Sequence, residues 1–175
     1  MLAKSGKWLV KNSEKFVVGR FVMVKKPGRP SWDLYFMQLA EFVAARSTCD
    51  RKSVGAVIVK DKRILATGYN GSVSGLPHCD EEGHLIRDNH CVRTIHAEAN
   101  AILSAARHGV SIEGATIYIN TFPCFNCFKL IANAGIKRIC YCDPYNPDLL
   151  VFEFAEKAGI ELVEVVIKER INERK

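Results

Sequence analysis

Two short motifs, His96-Ala97-Glu98 and Pro123-Cys124-Phe125-Asn126-Cys127, constrain this chain more than any other feature, because they carry one chemistry and must meet in space. H-x-E followed by P-C-x-x-C supplies one imidazole and two thiols of zinc-ligand type, with a carboxylate that need not bind metal. Between them, residues 97–108 are rich in Ala, Leu and Ile and are followed by Gly109, which predicts a helix opening at His96. Residues 115–120 alternate small or apolar with β-branched and aromatic side chains and predict a strand. Such a helix travels about 18 Å at ~1.5 Å per residue. The strand returns about 20 Å at ~3.3 Å per residue, which brings Cys124 back beside His96. Pro123 suits the first turn of the next helix, Gly135 lies at its end, and Cys124 and Cys127 share one face.

Two helix N-termini would then converge on one metal, and their dipoles favour thiolate over thiol. One His and two Cys match the three-ligand set of catalytic zinc sites, leaving a position for water, whose pKa zinc lowers from about 15.7 towards ~7. Glu98 is placed to shuttle the proton. A closed structural zinc wants a fourth protein ligand and has no use for a carboxylate two residues past the His. The pattern predicts an open, catalytic zinc.

The rest of the chain is organised around this. Ser31 can cap a helix over 32–47, with Trp32, Tyr35, Phe36, Leu39, Phe42 and Val43 on one stripe. Strands over 54–60 and 63–69 form a hairpin about Asp61-Lys62. After the 124–134 helix come a strand over 136–142, a helix over 148–158 and a strand over 160–167, with Gly159 between the last two. One hairpin plus alternating strands and helices predicts an α/β fold, a three-layer α/β/α sandwich around a mixed five-stranded sheet. Residues 71–94 interrupt it as an insert-like loop rich in Gly, His and acids, without secondary structure of its own.

The net charge of +6 is concentrated at one end. Residues 1–30 carry eight Lys or Arg against one Glu, whereas the other 145 hold 17 basic and 18 acidic residues. The main domain, 31–170, is therefore not basic, which argues against nucleic-acid binding by it. Residues 1–30 read as a basic N-terminal extension. Met23 makes a natural start, so residues 1–22 are expected to be an upstream start-site extension or an added leader; the functional alternative is an arm touching nucleic acid or membrane. No run of 18 uncharged apolar residues suggests a membrane span. Seven cysteines in His/Cys metal spacing point to metal binding in a reducing cytoplasm rather than to a disulfide framework.

With these motifs in hand, the chain resembles the cytidine and deoxycytidylate deaminase superfamily, and within it the deoxycytidylate (dCMP) deaminases, including the competence-operon-type bacterial members. H-x-E with P-C-x-x-C is the signature of zinc nucleobase deaminases. The resemblance runs over about 31–167 and includes S-W-D-x-Y-F-M (31–37), R-S-T-C (46–49), S-V-G-A-V-I-V (53–59), G-Y-N-G-S (68–72) and C-V-R-T-I-H-A-E-A-N-A-I (91–102). It implies zinc on His96, Cys124 and Cys127, Glu98 as proton shuttle, Asn70 on the sugar, and Gly68, Tyr69 and Gly71 lining the nucleotide site. From the residues alone, Gly68, Asn70 and Gly71 also fit an ordinary turn of unusual backbone angles. The implied reaction is hydrolysis of dCMP to dUMP and ammonia, feeding thymidylate synthesis. The resemblance also implies a homo-oligomer, with a hexamer favoured, and dCTP and dTTP as effectors. The alternatives are a deaminase of cytidine or tRNA adenosine, and a non-catalytic zinc scaffold.

The insert concentrates further donors. A second, structural zinc is expected on Cys49, Cys79, His84 and Cys91, with His90 or His78 able to substitute, because a long loop needs a staple. Some members of the resembling family carry such a zinc. For the phosphate, Arg46, Arg51, Lys52 and Arg93 are the cations nearest the motifs, with Arg93 and Arg46 preferred. Tyr145 could close over the base. Cys140 and Cys142 read as buried small hydrophobes, and His108 as a helix-end charge without chemistry.

Overall fold

The computed structural model describes residues 7–12, 15–20, 28–88, 90–144 and 147–167. It divides into two units, 1–30 and 31–175. In the first, β1 (Lys7–Asn12) and β2 (Lys15–Arg20) pair antiparallel. The second contains α1 (Trp32–Ala44), β3 (Gly55–Lys60), β4 (Arg63–Tyr69), β5 (Gly71–Ser72), α2 (Cys79–Glu82), β6 (Ile86–Arg87), β7 (His90–Cys91), β8 (Thr94–Ile95), α3 (Ala97–Arg107), β9 (Thr116–Ile119), α4 (Phe125–Asn133), β10 (Arg138–Tyr141), α5 (Leu149–Ala158) and β11 (Glu161–Glu164).

The five-stranded sheet has the order β11-β10-β9-β3-β4. β9, β10 and β11 run parallel, and β3 is antiparallel to both β9 and β4. Alternation along β3 sorts the core into two halves. Ala56 and Ile58 join Ala97, Ala101, Phe128, Ile131, Val151 and Ala155 of α3, α4 and α5. Val57 and Val59 join Phe36, Met37 and Ala40 of α1. The architecture is the predicted mixed-sheet α/β/α sandwich, with one helix on one face and three on the other.

Two glycines seat the helices. A Cβ on Gly55 would collide with the backbone of Ala40 and Ala44, and one on Gly68 with that of Ala97 and Ala101. Each helix therefore meets its strand backbone to backbone through alanines. This corrects the predicted stripe of α1. The fully buried positions are Phe36, Met37, Ala40 and Ala44, while Phe42 is 79% exposed and Trp32 and Tyr35 are over 40% exposed. A size-weighted periodicity favoured the large residues; the close approach at Gly55 selects small ones. It also corrects the reading of G-Y-N-G, since neither Gly68, Asn70 nor Gly71 has a positive φ. Gly68 is there for space, not for a turn. The left-handed pair is Asp61-Lys62 (φ 51° and 63°), which closes the β3–β4 hairpin.

At the opposite end of α1, Asp33 accepts two hydrogen bonds from Arg138 (2.8 and 3.0 Å) and one from the Tyr118 hydroxyl (2.8 Å). Arg138 also donates to Glu161 at 2.9 Å. The helix is thereby tied to β9, β10 and β11. The insert is not the structureless loop expected from sequence: β5 pairs β8, β6 pairs β7, and α2 adds a single turn.

Candidate active site and metal centres

The carboxyl ends of β9, β10 and β4 and the start of β3 share one edge of the sheet. His96 and Cys124 are the N-caps of α3 and α4 (φ, ψ of −68°, 152° and −69°, 160°). An N-cap residue keeps extended backbone beside the helix's free N–H groups, so its side chain stands over them. Accordingly, Cys124 Sγ accepts from the Cys127 N–H at 3.5 Å. Pro123 thus precedes the cap instead of occupying the first turn, because the Cys124 sulfur takes the capping role. His96 Nδ1 lies 3.6 Å from Cys124 Sγ and 3.4 Å from Cys127 Sγ. With Zn–S of ~2.3 Å and Zn–N of ~2.0–2.1 Å, a tetrahedral zinc sets S and N about 3.6 Å apart. The three donors stand at ligand spacing.

Their electrostatics agree. Glu98, on the first turn of α3, is 3% exposed, and burial pushes its carboxyl above the ordinary range against the pull of its own N–H and of His96. A hydrogen bond from Cys127 is the main force bringing the Cys124 thiol down to about 4, with His96 assisting. Cys127 is pushed far up in return, by the same bond, by burial and by Glu98. His96 is raised, chiefly by Cys124. Both thiols can ionise beside Glu98 only with a cation among them, so the donor set fits a divalent metal.

The insert builds a second cluster. Cys79, His84 and Cys91 form one close trio, and Cys49, Asp50 and His84 another that shares the histidine. Cys79 Sγ and Cys91 Sγ are 3.8 Å apart, the S–S edge of about 3.8 Å that Zn–S bonds of ~2.3 Å imply. His84 Nε2 is 2.7 Å from an Asp50 carboxylate oxygen, while its Nδ1 is buried without a hydrogen-bond partner. A carboxylate orienting one ring nitrogen while the other is left for metal is the usual support of a ligating histidine. Asp50 is therefore part of this cluster, and the sequence reading missed it; its place next to Cys49 was the available signal. Burial raises Cys79 to about 11, whereas the nearby His84 imidazole and backbone N–H groups outweigh burial and lower Cys91 to about 6. His84 is raised, first by Cys91 and then by Asp50. His78 is committed elsewhere: its Nδ1 pairs with the Thr48 hydroxyl at 3.0 Å and it caps α2. The side chain of His90 and all of Tyr145 lie outside the described residues.

Asn70, 7% exposed, accepts from the Val54 N–H and donates to the Lys52 carbonyl, both at 2.8 Å. One lone pair and one N–H of its carboxamide remain for a ligand. Tyr69 accepts from Asn100 Nδ2 at 2.8 Å through its carbonyl, which ties β4 to α3 two residues beyond Glu98. Gly71 opens β5, and Arg46 is exposed just past α1. Arg93 belongs to the insert, where its Nη1 lies 3.4 Å from both Glu82 and the Pro77 carbonyl. Lys52 instead sits at the sheet edge, donating to Thr121 Oγ1 at 2.7 Å and 3.5 Å from Asp143. A cavity of about 590 Å³ lies along Tyr69, Ser72, His78, Asn100, Arg107 and His108, and none of His96, Cys124, Cys127, Cys49, Cys79, His84 and Cys91 lines it. Cys140 and Cys142 are buried, and no cysteine is in a disulfide.

A three-layer α/β/α sandwich with a His/Cys trio at two helix caps and a buried carboxylate beside it defines a zinc-site hydrolytic enzyme fold. Residues 30–143 match the cytidine and deoxycytidylate deaminase zinc-binding region, and the chain belongs to that family. It is 49% identical over 143 residues to ComE operon protein 2 of Bacillus subtilis, covering 82% of this chain and 76% of that one. It is 41% identical over 140 residues to the deoxycytidylate deaminase of Saccharomyces cerevisiae, covering 75% of this chain but only 44% of the yeast protein. Among solved structures, the dCMP deaminase of cyanophage S-TIM5 in complex with dCMP and dUMP superposes with a TM-score of 0.69 at 31% identity, over 78% of this chain and 98% of that one.

Proposed function

We propose that this chain hydrolyses dCMP to dUMP and ammonia, and so feeds thymidylate synthesis. The observation that carries the reading is Glu98, a carboxyl buried to 3% exposure beside three donors at zinc spacing. His96, Cys124 and Cys127 would hold one zinc. When bound, that zinc supplies a hydroxide nucleophile near neutral pH. Glu98 accepts the water proton, and its raised pKa brings donor and acceptor closer to balance. It passes that proton to the ring nitrogen as the water oxygen bonds to the carbon bearing the amino group, then takes the remaining proton of that oxygen and hands it to the departing amino group. The C–N bond breaks, ammonia leaves and a carbonyl replaces it. Asn70, between β4 and β5, would contact the sugar with its remaining lone pair and N–H, beside Gly68, Tyr69 and Gly71.

A second zinc on Cys79, His84, Cys91 and Cys49, oriented by Asp50, would staple the insert. At the sheet edge, Lys52 and its neighbour Arg51 are better placed for the phosphate than Arg93; Arg46 stays a candidate. The dCTP and dTTP effectors that the family resemblance implies have a candidate receptor in the 590 Å³ cavity, where Arg107 supplies a cation. Exposed Phe42 and Leu149, each 79% exposed, favour a homo-oligomer, a hexamer by resemblance. No helix among the described residues is long and apolar enough to cross a membrane; the cytoplasmic location is proposed from the cysteine usage alone.

Ammonia release by the zinc-loaded protein tests this with dCMP, deoxycytidine and an adenosine-bearing tRNA stem-loop, each with and without dCTP. Turnover of dCMP alone is expected. Equal or better turnover of another substrate would discard the dCMP assignment while keeping the chemistry, and silence on all three would leave a zinc scaffold.

A further inference from the structure

Asn120 lies between β9 and the P-C-x-x-C motif and belongs to neither. It is 6% exposed, and every polar atom of it is engaged. Its Oδ1 accepts from the Gly55 N–H at 3.0 Å, and its Nδ2 donates to the Ser53 carbonyl at 3.1 Å. Its own N–H donates to the Gly55 carbonyl at 3.3 Å, and its carbonyl accepts from Cys142 Sγ at 3.3 Å.

Asn70 does the same from the other side. Its carboxamide takes the Val54 N–H and the Lys52 carbonyl, and its N–H donates to the Val54 carbonyl at 3.2 Å. Residues 52–55 are thus clamped between two buried asparagines, one following each strand that flanks β3. Each side chain replaces a ladder partner where the regular pairing has ended. The orientation of both carboxamides is dictated, since a flip would set NH₂ against N–H and oxygen against oxygen.

The coupling follows from the shared segment. Asn70 is aimed by Lys52 and Val54, and those two residues alternate with Ser53 and Gly55, which Asn120 holds. We infer that Asn120 is a positioning residue for nucleotide recognition, acting through residues 52–55 on Asn70. The inference rests on Asn70 contacting the sugar, as proposed above.

Steady-state kinetics with dCMP test it on zinc-loaded protein. Asn120→Ala raises KM about tenfold, the size of one hydrogen-bonded contact loosened, with kcat and zinc content little changed. Asn70→Ala raises KM as well, and the double variant is no worse than Asn70→Ala alone, because both act on one contact. Additive effects, an unchanged KM in Asn120→Ala, or a loss of kcat and zinc in its place each overturn the inference. An effect of Asn120→Ala with none from Asn70→Ala defeats the sugar-contact reading and the inference with it. An unchanged KM in Asn120→Ala alone defeats only the inference.

Asn120→Asp provides a second readout should the alanine variant fail to fold. Protonated, the aspartic acid presents a C=O to Gly55 and an O–H to Ser53, as the asparagine does; ionised, it sets a carboxylate against the Ser53 carbonyl. The titratable groups around it are Cys142, Glu41 behind Cys142, and Lys52 and Asp143 beside Thr121. All four are present in the wild type, so the ratio of variant to wild-type KM cancels them. That ratio is expected to approach one as pH falls and to grow as pH rises. A ratio independent of pH is the contrary result.

Discussion

The two His/Cys clusters use the same donors on opposite kinds of scaffold. His96 and Cys124 are caps of helices that pack into the main core, and Cys127 follows on the same helix. Their spacing is set by regular elements before any metal arrives. Cys79, His84 and Cys91 hang on two-residue strands and a single helical turn, where a bound metal would be the staple. The first site keeps a buried carboxylate that ligates nothing; the second spends its carboxylate, Asp50, on orienting a ligand. On the proposed reading, the first arrangement would serve chemistry and the second folding.

The largest expected effect lies in the first cluster. Glu98→Gln should lower kcat by about 10³-fold, within the usual reach of general acid–base catalysis, with zinc content unchanged by metal analysis. Loss of the metal together with activity would mean that the carboxylate is structural and would erase the contrast. Next, Cys79→Ser should remove one zinc per chain and speed proteolysis of residues 71–94, with kcat/KM reduced about tenfold or less. Simultaneous loss of both metals would show one cooperative unit.

Smaller effects test the scaffold. Gly68→Ala should cost about 1–3 kcal/mol in denaturant unfolding, because its Cβ has no room against α3. Gly71→Ala, whose Cβ meets only ordinary contacts, should stay within about 0.5 kcal/mol. Equal costs would contradict the reading that the two glycines of G-Y-N-G do different things. Last, the Arg138 guanidinium holds the Asp33 carboxyl below its ordinary value of 3.8. Its contribution is complete above that value and is lost as pH falls through the lower, folded pKa. Asp33→Asn should cost about 1 kcal/mol at pH 6 and close to nothing at the acid end, with the zinc content of the insert unaffected. Removing residues 1–22 is expected to leave kcat/KM as it is.

The catalytic cluster was legible because its information is periodic. A helix and a strand of matched length return Cys124 to His96, and side-chain type at each cap names the chemistry. The donor set of the insert was legible as composition, though not Asp50, whose role exists only once β6 and β7 fold back and bring His84 beside Cys49. Which face of α1 packs was not legible, since hydropathy ranks Phe42 above Ala44 and says nothing about two backbones meeting at Gly55. Nor was the clamp on residues 52–55. Asn70 was singled out only as a sugar contact and Asn120 not at all, and nothing in the sequence links them until antiparallel pairing sets β4 and β9 on either side of β3. Local pattern determined the main helices and strands and which His and Cys donors the chain offers. Contacts between strand ends, where ladders stop and side chains must replace them, were decided only by the tertiary structure.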